Sequence, residues 1–218
     1  MIVPDLLFRL RQGLKALGED PDAHPCERYL AYIELLVKWN RAYNLTGIRD
    51  PGRMLNYHVL DSLAVRPWVR GPRCLDIGTG AGLPGLILAL ARPDQHWVLL
   101  DSNSKKIRFL NECLRELQVN NAETAHTRIE DFHPQQLFTT AVCRALWSAP
   151  DLLRECGRLI EAGGVLLAMK GARQEKEWNK ELRDAAELYV HGLHVPGVTS
   201  ERNLVVISPR ANASRALE

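Results

Sequence analysis

Residues Leu75 to Gly85 read LDIGTGAGLPG, a glycine-rich turn set directly behind a short apolar run. Gly78, Gly80 and Gly82 carry no Cβ, so the backbone can turn sharply there and come close to a ligand. The flanking pattern fixes what surrounds the turn. Cys74–Ile77, His96–Leu100, Ala122–His126, Phe138–Cys143 and Gly164–Met169 read as strands. Helices are expected between them at Gly82–Ala91, Ser104–Gln118 and Pro150–Ile160. Strands alternating with helices predict an α/β fold whose parallel sheet is covered on both faces. Ligands of such a sheet lie beyond the carboxyl ends of its strands, where this turn falls. After Lys170 a charged helix is expected to about Arg183, followed by a terminal antiparallel pair at Ala186–Val195 and Leu204–Ser208.

The first seventy or so residues follow a different pattern. Pro4 to Gly18 reads as a short helix closed by glycine, and a stronger one follows Pro25, with Tyr29, Ile33, Leu36 and Tyr43 near helical spacing. A third helix is expected over about Arg53–Val65, with Leu55, Val59, Leu60 and Leu63 on its apolar side. The chain thus divides into a helical extension (1–72), a cofactor-binding domain (73–209) and a flexible tail (210–218).

Two carboxylates narrow the ligand. WVLLD puts Asp101 at the tip of the second strand, about twenty residues beyond the glycines, where it can accept both hydroxyls of an unphosphorylated ribose. Asp76 stands two residues before Gly78. A carboxylate there repels the pyrophosphate of a dinucleotide but attracts the ammonium and sulfonium of S-adenosylmethionine. The methyl donor is therefore favoured over a nicotinamide cofactor.

Composition bounds the rest. With 46% hydrophobic and 25% charged residues over 218 positions, the chain has the make-up of a globular protein. Its five cysteines are scattered without a C-x-x-C pair, and its seven histidines form no ligand pattern, so neither disulfides nor a metal are expected. No early apolar segment reads as a signal peptide and none reaches membrane-spanning length, so a cytoplasmic location is expected. The net charge is only +2, yet Lys38, Arg41, Arg49, Arg53, Arg66, Arg70 and Arg73 face just Asp50 and Asp61 over one stretch. That stretch reads either as a phosphate-facing surface or as a solvated helical face.

Seven segments in order carry a resemblance: NLTGIRD (Asn44–Asp50), HVLDSL (His58–Leu63), DIGTGAGLPG (Asp76–Gly85), LLDSNSKKIRFL (Leu99–Leu110), CRAL (Cys143–Leu146), MKG (Met169–Gly171) and ERNLVVI (Glu201–Ile207). Together they resemble the RsmG family, also called GidB, over about Cys26 to Pro209. The resemblance implies a Rossmann-like class I S-adenosylmethionine-dependent methyltransferase. Its implied reaction is methylation of ring nitrogen 7 of a guanine in 16S ribosomal RNA, with the small ribosomal subunit as partner. It implies cofactor contacts at Gly78, Leu83, Ile129, Glu130 and Arg144, beside Asp76 and Asp101. Ile129 replaces a smaller residue common in the family, and Cys143 a serine.

Guanine N7 has a free lone pair, so no base is needed and no catalytic nucleophile is expected; alignment does the work. His58, Asp61 and Ser62 fall at i, i+3 and i+4 of the third helix, as a pocket wall or as a solvated face. Arg144 and Lys170, at strand ends, are candidates for phosphate or the guanine edge. Trp147 reads as a base-stacking ring or, more simply, as core. A monomer is expected. The alternatives are a methyltransferase for another substrate, or a non-enzymatic cofactor-binding protein that docks on ribosomes.

Overall fold

The computed structural model describes residues 4–144, 147–171, 178 and 180–210. Helix α1 (Pro4–Ala16) buries Leu6, Leu10 and Leu14, one face at a spacing of four. Helix α2 (Cys26–Tyr43) buries Cys26, Tyr29, Leu30, Tyr32, Ile33 and Leu36, and ends where Asn44 turns left-handed at φ 49°. Asn40 then organises the following loop, its amide exchanging bonds of 2.9 Å with Thr46 N and Thr46 O.

The third helical segment departs from the expected Arg53–Val65. It begins earlier, as α3 (Pro51–Met54), because the Asp50 carboxylate caps Arg53 N at 2.7 Å and Pro51 needs no N–H partner. It then widens into a π-helical stretch (Leu55–Leu60) before α4 (Asp61–Leu63), the Asp61 N–H donating to Asn56 O five residues back. A 3.6-residue spacing cannot reveal such an inserted turn.

The sheet comprises β1 (Arg73–Ile77), β2 (His96–Asp101), β3 (Ala122–His126), β4 (Phe138–Arg144) and β5 (Ile160–Lys170), with α5 (Gly85–Ala91), α6 (Ser104–Glu116) and α7 (Ala149–Cys156) between them. Helix α8 (Lys180–Ala185), β6 (Ala186–Gly192) and β7 (Asn203–Pro209) complete the chain. Part of the charged helix expected after Lys170 lies outside the described residues, as does 211–218 of the tail. The strand order is β3-β2-β1-β4-β5-β7-β6. All pairs are parallel up to β5; β7 runs antiparallel to both β5 and β6. The terminal antiparallel pair is thus present, with β7 slotted between β5 and β6.

Alternation along the strands sends side chains to two cores. Cys74, Trp97, Leu99, Val142 and Leu167 join α1, α2, α5 and α6 on one face, so the first helices share an apolar core with the sheet. Leu75, Ile77, Val98, Leu100, Ala141 and Leu166 pack under α7 and α8 on the other. Arg28 ties the layers together, donating from Nε (2.9 Å) and Nη2 (2.6 Å) to Leu117 O at the end of α6. Among the described residues no helix is long and apolar enough to cross a membrane. The strand order reverses between β1 and β4, which puts the open crevice at their carboxyl ends.

Candidate active site

The glycine turn leaves β1 with φ of 64°, 62° and 89° at Gly78, Gly80 and Gly82, values that admit glycine with little strain. This is also why α5 starts at Gly85, three residues later than the expected Gly82. Thr79 N donates to Leu100 O at 2.9 Å, anchoring the turn to β2. From outside, Tyr32 on α2 donates its hydroxyl to Ala81 O at 2.8 Å in the core. Replacing Tyr32 with Phe leaves Ala81 O unpartnered, which costs about 1 kcal/mol. Roughly five-fold weaker cofactor binding is expected, with urea unfolding and a ligand titration as the checks.

Asp101 sits at the end of β2 and is fixed by backbone. Its Oδ2 accepts from Gly80 N at 2.9 Å and its Oδ1 from Asn103 N at 2.8 Å, with Lys106 Nζ 3.4 Å away. These bonds leave lone pairs for ligand hydroxyls, since a carboxylate offers about four acceptor sites. Beside Asp101 lies a cavity of about 270 Å³ that Gly78, Ile129, Glu130, Lys106 and Trp147 also line. Four residues expected to bind cofactor thus meet around one space: Gly78, Asp101, Ile129 and Glu130. The Ile129 carbonyl is already taken by Arg158 Nη2 (2.6 Å) and Phe132 N (3.2 Å). Trp147 is half-buried, packed against the second core, and also lines the cavity.

Asp76 is the penultimate residue of β1, and its side chain turns inward. It shares a face with Cys74, under the start of α5, and is 0% exposed. Its Oδ2 accepts from Thr79 Oγ1 and Gly85 N, both at 2.7 Å, while Oδ1 is buried without a partner. Burial pushes its pKa up to about 6, against the opposing pull of the Thr79 and Gly85 bonds. Gly85 is the residue that sequence reasoning missed. A Cβ on it would stand 2.5 Å from Asp76 Cβ and 2.7 Å from Asp76 Oδ2, so the carboxylate fits only beneath a glycine. Leu83 is likewise buried under the turn, its N–H on Thr79 O at 2.9 Å.

The polar trio of the third helix is not one surface. All three residues are buried, and each has its own partner. His58 Nε2 meets Thr46 Oγ1 at 3.1 Å, and the Ser62 hydroxyl bonds back to His58 O at 2.6 Å. Burial, with help from the charge of Arg144, drops the His58 pKa to about 4, so the imidazole is neutral at pH 7. Asp61 instead holds two guanidinium groups, Arg202 Nε at 3.0 Å and Arg144 Nη1 at 3.7 Å. Burial raises the Asp61 pKa while the two arginines pull it down. Arg144 also donates to Tyr57 O at 3.2 Å, so it bridges β4 and the helical segment and does not line the cavity. Lys170 Nζ donates to Trp147 O, which steadies the backbone after β4 and engages the ammonium expected to meet substrate.

The basic stretch is split. Arg73 opens β1 at the amino edge of the sheet, with Arg70 just before it, and Arg66 pairs with Glu19 through an Nε–Oε1 bond of 2.8 Å. Arg41 and Arg49 line a separate cavity beside α2.

Comparison with known proteins meets this geometry directly. The family described as GidB, rRNA small subunit methyltransferase G, matches residues 25–205. The chain belongs to this family. Proteins named ribosomal RNA small subunit methyltransferase G from Hahella chejuensis and Vibrio vulnificus are similar to it. The first is 41% identical over 204 residues (94% of this chain and 94% of that protein), the second 42% over 208 (93% and 99%). Among solved structures, a SAM-dependent methyltransferase from Aquifex aeolicus superposes with a TM-score of 0.56 at 16% identity, covering 76% of this chain and 97% of its own. Magnesium protoporphyrin IX methyltransferase from Synechocystis gives 0.59 at 12% identity, covering 83% and 97%. These likenesses establish a Rossmann-like class I methyltransferase fold. In this family member the glycine turn, Asp101 and the cavity beside them occupy the carboxyl edge of β1 and β2.

Proposed function

We propose that this chain transfers a methyl group from S-adenosylmethionine to N7 of a specific guanine in the 16S RNA of the small ribosomal subunit. Family membership supports the reaction class, since its relatives are named as ribosomal RNA methyltransferases. One structural observation carries the choice of cofactor. A buried carboxylate with an unpartnered oxygen, Asp76 Oδ1, lies directly beneath the glycine turn. A buried charge of that kind is costly unless a positive group comes near it. S-adenosylmethionine brings an ammonium and a sulfonium, and its sulfonium methyl is the electrophile of the reaction.

The residues divide the remaining tasks. Asp101 accepts the ribose hydroxyls from a carboxylate already fixed by Gly80 N and Asn103 N. Gly78 lets the backbone come close, while Ile129 and Glu130 border the base, Ile129 through its backbone N–H because its carbonyl is engaged. Asp76 acts on the cation from below the turn, through its field or a bridging water. Arg144, held by Asp61 and Tyr57 O, ties the end of β4 to the helical segment. Guanine N7 attacks with its own lone pair, so no side chain has to remove a proton. Holding two reactants in line supplies roughly 7–11 kcal/mol of barrier reduction. The same reading makes 73–209 the catalytic domain and the preceding helices its inner wall.

Incubation with labelled S-adenosylmethionine and purified small subunits is the direct test. Label in 16S RNA supports the proposal. Label only in protein or small molecules favours a different substrate, and binding without transfer favours a docking factor.

A further inference from the structure

The connection between β6 and β7 folds back onto the π-helical stretch. Gly197 (φ 74°) lies so close that a Cβ would stand 2.2 Å from Asn56 Nδ2, and its carbonyl accepts from that amide at 3.4 Å. This contact delivers Arg202 to Tyr57. Its Nε bonds Asp61 Oδ1 at 3.0 Å, its Nη1 bonds Ser200 Oγ (2.9 Å) and Glu201 O (3.0 Å), and its Cζ lies 5.6 Å from the Tyr57 ring centroid. Arg53, exposed on α3, places its Cζ 5.4 Å from the same centroid. Arg144 reaches Asp61 from the sheet side.

Two guanidinium groups, those of Arg202 and Arg144, therefore flank one carboxylate that is 2% exposed, and a third, that of Arg53, shares the Tyr57 ring with Arg202. One positive charge remains unbalanced at Asp61, and Arg53 adds another beside Tyr57. A cluster serving stability alone gains little from such a surplus, because like charges repel and buried pairs barely repay their desolvation. Arg202 Nη2 and the whole Arg53 guanidinium find no acceptor among the described residues. Arginine forks held this way suit phosphate oxygens. The cluster also lies on the reaction edge, joined through Asp61 and Arg144 to the end of β4, whereas Arg70 and Arg73 lie at the opposite edge.

We infer that Arg202, held by the Asp61 carboxylate, and Arg53, which shares the Tyr57 ring with it, bind a phosphodiester of the RNA strand that presents the target guanine. The inference rests on the ribosomal RNA reading above. Asp61 is a positioning residue in it: it fixes Arg202 on one side and Arg144 on the other.

The test measures methylation of purified small subunits by wild-type, Arg53→Gln and Arg202→Gln protein over a series of KCl concentrations, with cofactor affinity measured alongside. Each variant should raise KM for the subunit about five- to ten-fold and reduce the slope of log KM against log salt by about one. Cofactor affinity and kcat should stay within roughly two-fold. Arg202→Gln also loosens Asp61, so Arg53→Gln, at an exposed position, decides if Arg202→Gln fails to fold. A wild-type enzyme that methylates the subunit, with KM and salt slope unchanged in Arg53→Gln and in any folded Arg202→Gln, overturns the phosphate site and leaves the functional reading standing. A wild-type protein that methylates no ribosomal RNA at any salt overturns both.

Discussion

Asp76→Asn should weaken S-adenosylmethionine binding about ten- to a hundred-fold, roughly 1.4–2.8 kcal/mol, while leaving the fold intact. The amide oxygen of Asn can still accept from Thr79 Oγ1 and Gly85 N, the two bonds that Asp76 Oδ2 accepts at 2.7 Å. What disappears is the negative charge under the turn. Loss of a buried charge relieves desolvation, and the amide NH₂ then placed at the unpartnered position costs about 1–3 kcal/mol, so stability changes little. Calorimetric titration and a thermal melt separate the two effects. Equal affinity in wild type and variant would remove Asp76 from the account of binding.

The same carboxylate gives a pH dependence with a defined sign. Its folded pKa is raised to about 6 from the ordinary 3.8, so the ionised form costs the cofactor-free fold stability above about pH 6. That cost is relieved as pH falls from 6 towards 4. Binding of a cation needs the ionised form, so affinity should fall as pH drops through 6 while this group's contribution to apo stability rises. Titrations from pH 7.5 down to about 5 read the two opposed trends.

Gly85→Ala should be more damaging than any exposed change. The added Cβ meets Asp76 Cβ at 2.5 Å, Asp76 Oδ2 at 2.7 Å and Leu99 Cδ2 at 2.7 Å, so it must displace either the carboxylate or α5 from β2. Overpacking of this kind costs about 1–3 kcal/mol, and loss of the Gly85 N–H bond to Asp76 adds about 1–3 more. For a chain of this size the melting temperature should fall by about 5–15 °C. Cofactor affinity should fall more than ten-fold, because the turn is built on that carboxylate. An unchanged melting temperature would show that α5 yields freely and that the close approach has no structural consequence.

The strand–turn–helix unit at Leu75–Gly85 was legible because it is local: a buried strand, residues with positive φ and a helix follow one another in the chain. Asp101 was legible for the same reason, as the last residue of the next strand. The place of Asp76 near the end of β1 was legible too, but its burial was not, because spacing gives distance along a strand but not which face the side chain takes beneath a helix. The polar face of His58, Asp61 and Ser62 dissolved because a π turn rearranges the helix and because their partners come from elsewhere. Arg202 is 141 positions from Asp61, and nothing local in the sequence announces that pair. Lys106, five residues from Asp101, carried a weak signal as a cation in the first turn of α6, where it meets that carboxylate.

The most direct measurement compares 16S RNA from cells with and without this protein, by mass mapping and by chemical cleavage selective for N7-methylated guanine. The account predicts one guanine that carries a methyl group and cleaves only when the protein is present. Identical maps and identical cleavage in the two strains would contradict it.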